Sequence, residues 1–189
     1  MKAFVAKQIE DSLAAQTALL EAGTLKQIQK AAALLTRCLG KRGKILLFGN
    51  GGSAADSQHL AAEWVGRFVK ERRAMAAIAL TTDTSILTAI GNDYGFERVF
   101  ERQIQALGRR GDVAVAFSTS GNSKNVLLAL RAAKKIGMAT IGLTGSGGGL
   151  MRSAVDVLIA VGGNHTARIQ ECHGLIGHIL CACVEHECS

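Results

Sequence analysis

Apolar positions along the chain follow two rhythms. Five short, mostly unbroken apolar runs, at 44–48, 76–80, 113–117, 140–143 and 155–161, predict strands. Runs of this length without alternation mark strands buried on both faces, as in a parallel sheet covered by helices. Between them, residues 54–69, 84–89, 97–107 and 124–136 carry the helical period. Right-handed crossovers then predict an α/β fold: a three-layer sandwich with a five-stranded parallel sheet. Two further helices, 3–21 and 24–39, precede the first strand, and a long one, 166–187, follows the last. Ala14, Ala15, Leu19 and Leu20 are apolar along the first helix, and Gly23-Thr24 reads as the break after it. The pair predicts an N-terminal helical hairpin added to the sheet. Its apolar faces need covering, and a closed homo-oligomer is the common solution.

The 189 residues predict a single domain, 1–40 forming the N-terminal helices and 41–189 the α/β core. The longest apolar run, 74–80, has seven residues, short of the ~18 that a membrane span needs. The N-terminus runs directly into a charged helical pattern, so no signal peptide is expected and the cytoplasm is the default compartment. Five cysteines, at 38, 172, 181, 183 and 188, include no CxxC spacing and read as small buried apolar residues on helices. Net charge is +7, but the basic residues are spread among predicted helix ends and aromatics make up only 4%. That is too few for base-stacking platforms, so nucleic acid is not an expected partner. Proline is absent, where about nine would be usual, a depletion too deep for chance. Loop rigidity would feel it; chemistry would not, since proline carries no functional group.

Two loops carry the first chemical signal. Gly49-Asn50-Gly51-Gly52-Ser53 lies between a predicted strand and helix. Glycines there let the backbone turn tightly and approach a ligand, while a helix N-terminus offers unpaired N–H groups. Ser118-Thr119-Ser120-Gly121-Asn122-Ser123 occupies the equivalent place after another strand. An ordinary serine N-cap accounts for one hydroxyl, not four, so the loop predicts a phosphate site. The third glycine cluster, 144–149, reads as plain loop. In doubly wound sheets such loops gather at the carboxyl edge, where ligands bind.

The second signal is His59-x3-Glu63, one to two turns past the glycine loop, with Gln170 and His178 on the last helix. Residues four apart share a helical face. Two histidines, a glutamate and an amide oxygen would make a four-ligand site suited to zinc or another transition ion. His165, His173 and His186 have no such spacing and read as structural.

These motifs, with Gly91-Asn92-Asp93 and Arg168-Ile-Gln170-Glu171-x6-His178, resemble the sedoheptulose-7-phosphate (phosphoheptose) isomerases over practically the whole chain. The resemblance implies the sugar-isomerase (SIS) fold, a homotetramer with sites at subunit interfaces, and one Zn²⁺ per subunit. It also implies conversion of sedoheptulose 7-phosphate to the heptose 7-phosphate of bacterial lipopolysaccharide or glycoprotein synthesis. Its metal ligands fall on His59, Glu63, Gln170 and His178, and its acid/base pair on Glu63 and His178. Its substrate residues fall on Asn50, Gly51, Gly52, Ser53, Asn92, Asp93, Ser118, Thr119, Ser120 and Ser123, with His59, Glu63 and Gln170 also in reach of substrate. Two other readings belong to different classes: a non-catalytic SIS tetramer that binds a replication initiator, and a sugar-phosphate-sensing regulator. The first loses the His-x3-Glu pattern that this chain keeps. The second usually brings a helix-turn-helix region, which is not evident here.

Overall fold

The computed structural model describes residues 1–163 and 165–187. Five parallel strands, β1 (Ile45–Phe48), β2 (Ala77–Ala79), β3 (Val113–Ser118), β4 (Ala139–Thr144) and β5 (Val157–Ala160), form one sheet in the order β2-β1-β3-β4-β5. Seven α-helices accompany them: α1 (Lys2–Thr17), α2 (Ala22–Gly40), α3 (Gly52–Val65), α4 (Thr84–Tyr94), α5 (Val99–Leu107), α6 (Lys124–Ile136) and α7 (Thr166–Glu187).

The central strands are buried on both faces, as unbroken apolar runs require. Alternate residues of β1 serve opposite layers. Ile45 and Leu47 join Leu35, Leu60, Trp64, Ile176 and Leu180 beneath α2, α3 and α7. Leu46 and Phe48 join Phe100, Ile104, Val126 and Leu130 beneath α5 and α6. The chain leaves β1 toward β2 on one side and returns through β3 on the other, so the order reverses between β1 and β3. The loops after these two strands therefore flank the switch point, where the crossovers diverge and a crevice opens.

The edges of several elements differ from expectation, each for a local reason. Strand β2, at the edge of the sheet, keeps only three residues. The last strand starts at Val157 because the Asp156 carboxylate accepts hydrogen bonds from the Thr140 N–H and hydroxyl, both at 2.8 Å. Helix α4 runs through Gly91 to Tyr94 and stops at Gly95, whose φ of +90° breaks it. Helix α3 ends at Val65 rather than Val69. Glu185 of α7 accepts from the N–H groups of Phe68, Val69 and Lys70 at 2.9–3.0 Å, and those amides are lost to the helix.

The N-terminal reversal falls at Glu21, not at Gly23-Thr24, which lie inside the first turn of α2. Helix α2 is part of the sandwich, burying Ile28, Ala31, Ala32, Leu35, Cys38 and Leu39. Helix α1 buries nothing fully. It lies against α7 through Ser12, which donates to Glu171 at 2.7 Å, and Arg168, which donates to the Gln8 carbonyl at 2.6 Å. Cys38, Cys172 and Cys181 are buried and Cys183 half-buried, as expected of small apolar fillers; Cys188 lies outside the described residues.

Candidate functional site

Two walls of the crevice are the loops after β1 and β3, which lock together. Asn50 donates from Nδ2 to Asn125 Oδ1 at 3.0 Å, and Asn125 returns the bond to Asn50 Oδ1 at 2.8 Å. Only a glycine fits at position 49, because a Cβ there would lie 2.9 Å from the Phe117 carbonyl and 2.7 Å from Ser53 Cβ. Gly51 holds φ +57°, ψ −122°, a conformation that side chains rarely adopt, before α3 begins. Asn125 had no distinguishing signal in the sequence; an asparagine in the first turn of a helix is ordinary.

The serine loop presents its hydroxyls as a group. Ser118 Oγ lies 3.0 Å from Ser123 Oγ and 3.5 Å from Ser120 Oγ. Ser123 stands at the N-cap of α6, yet its hydroxyl makes no capping bond. Thr119 and Ser120 line a cleft of ≈ 250 Å³ with Ser146, Gly163, Thr166 and Ile169. Ser146 and Thr166 are additions that the sequence did not reveal. The third glycine cluster is more than plain loop: it supports the serine loop from behind. Gly145 N donates to Thr119 O at 2.9 Å, Met151 N to Gly121 O at 3.0 Å, and Leu150 N to Asn122 Oδ1 at 3.0 Å. Its signal was the run of small residues, which permits such backbone contact without specifying a partner.

Helices α3 and α7 supply the other group. His59 Nε2 lies 2.8 Å from His178 Nε2 and 3.5 Å from Glu63 Oε1. Ligand atoms of His59, Glu63 and His178 all lie within 4.8 Å of one another. Two donors on one tetrahedral zinc sit about 3.3 Å apart at ordinary bond lengths. Two imidazole nitrogens and a carboxylate oxygen this close therefore suit a transition ion, since only one proton can lie between the two rings. The Phe68 ring packs against His178, centroids 5.4 Å apart and planes tilted by 33°.

Glu63 sits in the last turn of α3, and Arg72 caps that turn. Arg72 donates to the carbonyls of Glu63 at 2.7 Å, Trp64 at 3.0 Å and Gly66 at 3.1 Å, and pairs with Glu185 at 3.0 Å. Burial alone would raise the Glu185 carboxyl. The N–H groups of Lys70, Val69 and Phe68, with Arg72, outweigh it and hold the pKa at about 2. His173 is buried with Nε2 against the Thr144 carbonyl, and burial lowers its pKa to about 4.

Gln170, expected with His178 on one face of the last helix, makes no hydrogen bond to either histidine among the described residues. Eight residues advance a helix by about 12 Å and turn it by about 80°, so Gln170 and His178 occupy different levels of α7. Gln170 instead donates from Nε2 to Asp56 Oδ1 at 2.7 Å, and a Cβ on Gly52 would lie 3.4 Å from its Cγ. It therefore lies beside the glycine loop. Burial raises the Asp56 pKa, opposed by the Gln170 bond and by nearby His59. Asn92 and Asp93 are exposed near the end of α4, where Asn92 donates to Asp93 at 2.8 Å; among the described residues no hydrogen bond ties them to the loops or the histidines.

Known proteins resemble the chain along most of its length. The SIS domain model matches residues 9–145. The phosphoheptose isomerase of Campylobacter jejuni is 58% identical over 159 residues, 84% of this chain and 86% of that protein. The phosphoheptose isomerase of Clostridium acetobutylicum is 48% identical over 188 residues, 99% and 96% of the two chains. The solved structure of the phosphoheptose isomerase from Neisseria gonorrhoeae superposes with a TM-score of 0.91, at 48% identity over 97% of this chain and 98% of that one.

Proposed function

The chain belongs to the SIS domain family, among its phosphoheptose isomerases, and on that premise we propose how its residues convert sedoheptulose 7-phosphate to D-glycero-D-manno-heptose 7-phosphate. A ketose–aldose interconversion moves a proton between neighbouring carbons through an enediolate. It needs a base for the carbon-bound proton, a group that manages the oxygen protons, and stabilisation of the developing oxyanion.

Glu63 takes the carbon-bound proton. His178 exchanges protons with the sugar oxygens and assists ring opening, with His59 beside it as the nearest proton partner. Ser118, Thr119, Ser120 and Ser123 hold the phosphate through hydroxyls that make few bonds elsewhere. Asn50, Gly51, Gly52, Ser53, Asn92, Asp93 and Gln170 contact the sugar. His59, Glu63 and His178 would hold one Zn²⁺ per subunit, with Gln170 the fourth ligand by resemblance, and such an ion, when bound, polarises a carbonyl oxygen. The observation that carries this reading is the approach of His59 and His178 within 2.8 Å beside Glu63.

The working unit is a cytoplasmic homotetramer with its sites at subunit interfaces. Support comes from α1, which leaves Phe4, Val5, Ile9 and Leu13 exposed, and from Asn92 and Asp93, which make no hydrogen bond to the loops or the histidines among the described residues. Among the described residues no helix is long and apolar enough to cross a membrane. The alternative reading, a non-catalytic partner of a replication initiator, finds no support in relatives that are named isomerases.

Incubating the purified protein with sedoheptulose 7-phosphate tests the assignment. Glu63→Gln should lower kcat by about 10²–10⁴-fold with the fold retained by circular dichroism. Turnover at the wild-type rate would remove Glu63 from the mechanism.

A further inference from the structure

Asp56, one turn before His59 on α3, has no place in the scheme above, and its surroundings are unusual. Its Oδ1 accepts from Gln170 Nε2 at 2.7 Å, while its Oδ2 is buried without a hydrogen-bond partner among the described residues. A buried carboxylate oxygen with no donor costs stability. An asparagine would fit the same space without the charge. What the carboxylate supplies, and an amide does not, is a group that only accepts.

An amide has two chemically opposite ends that differ little in shape. Facing a carboxylate, Gln170 must turn its NH₂ inward, because its carbonyl end would meet another acceptor. Its Oε1, which bonds to nothing among the described residues, is left as the presented atom. We infer that Asp56 is a positioning residue: it fixes the Gln170 amide so that this side chain offers an acceptor, and never a donor, to the site. An acceptor suits a cation or a sugar hydroxyl and repels phosphate oxygens. Gln170 thereby separates the sugar end of the site from the phosphate end, held by serine and threonine hydroxyls at the neighbouring cleft. The inference rests on the proposal that Gln170 serves substrate or metal.

The test compares Asp56→Asn in two backgrounds, native Gln170 and Gln170→Glu, alongside Gln170→Ala. Two quantities are read on each purified protein: Zn²⁺ affinity by chelator competition on the metal-free form, and KM for sedoheptulose 7-phosphate. In the native background, the amide introduced by Asp56→Asn can donate to Gln170 Oε1, so the Gln170 side chain is free to flip. Whichever quantity Gln170→Ala impairs should then worsen by about 10–100-fold, the usual cost of losing an outer-shell partner. Apo thermal stability should hold or rise, since the orphaned charge is gone. In the Gln170→Glu background both ends are oxygens, no wrong orientation exists, and Asp56→Asn should cause no loss. An unimpaired Asp56→Asn single variant overturns the inference, as does an equal loss in both backgrounds. A silent Gln170→Ala overturns the role given to Gln170, and this inference with it.

Discussion

Gly177→Ala tests whether the packing of α3 against α7 sets the distance between the two histidines. Gly177 adjoins His178, and the residue it faces, Leu60, adjoins His59. A Cβ at 177 would lie 2.5 and 2.6 Å from the two Leu60 methyls and 3.1 Å from its Cγ. Carbon atoms rest about 3.5–4.0 Å apart, so the shortfall is about 1 Å. Leu60 is only 3% exposed, and the void beside it is ≈ 10 Å³, about one water probe in size and too small for a displaced methyl. The helices must therefore part. Overpacking costs about 1–3 kcal/mol, while replacing a mid-helix glycine returns about 1 kcal/mol. The net loss is about 0–2 kcal/mol, and at about 2–4 °C per kcal/mol for a chain of this size the fall in Tm is at most about 8 °C. The larger effect is on chemistry. Parting the helices by about 1 Å would carry the histidine pair from 2.8 Å out of contact, and misplacement on that scale costs about 100-fold in rate. Gly174→Ala is the control, one turn earlier on α7, where an added Cβ meets nothing within 4 Å; it should be slightly stabilising and fully active. Calorimetry and steady-state kcat/KM on the two variants decide the matter. If Gly177→Ala behaves like Gly174→Ala, the packing does not set the site.

Three further predictions concern the supports of the site and the stability of the fold. Asn125→Ala removes both amide bonds between the loops after β1 and β3 and should cost about 1–3 kcal/mol, raising KM more than it lowers kcat; Asn125→Asp should not rescue it, because a carboxylate would face Asn50 Oδ1 across 2.8 Å. Acid should destabilise the protein in two windows. His173 is depressed from 6.5 to about 4 by burial, so its contribution is complete above pH 6.5 and is lost as pH falls toward 4. Glu185, depressed from 4.5 to about 2, does the same from pH 4.5 downward. Glu185→Gln should cost about 3–5 kcal/mol at pH 7 by leaving Arg72 buried and unpaired, and should flatten the lower window of a urea-midpoint-versus-pH curve while sparing the upper one.

Local chemistry wrote much of this molecule directly into the chain. Unbroken apolar runs at 44–48 and 113–117 give buried strands because both faces of a parallel sheet must be covered, and glycine at 49 and 51 gives a tight turn because no other residue fits the backbone there. The four-residue spacing of His59 and Glu63 survives folding because the helical repeat guarantees it. Long-range relations were decided by the tertiary structure alone. No pattern within α7 could reveal that Gln170 turns to Asp56 while His178 meets His59, since the partner on α3 depends on how two distant helices are seated. Nor could the end of α3 be read locally, because the carboxylate that takes the next three amides lies more than a hundred residues away. Periodicity reports what a residue's neighbours in sequence impose. Which groups meet across the crevice is fixed only when the sheet order places the loops and the layers bring α3 beside α7.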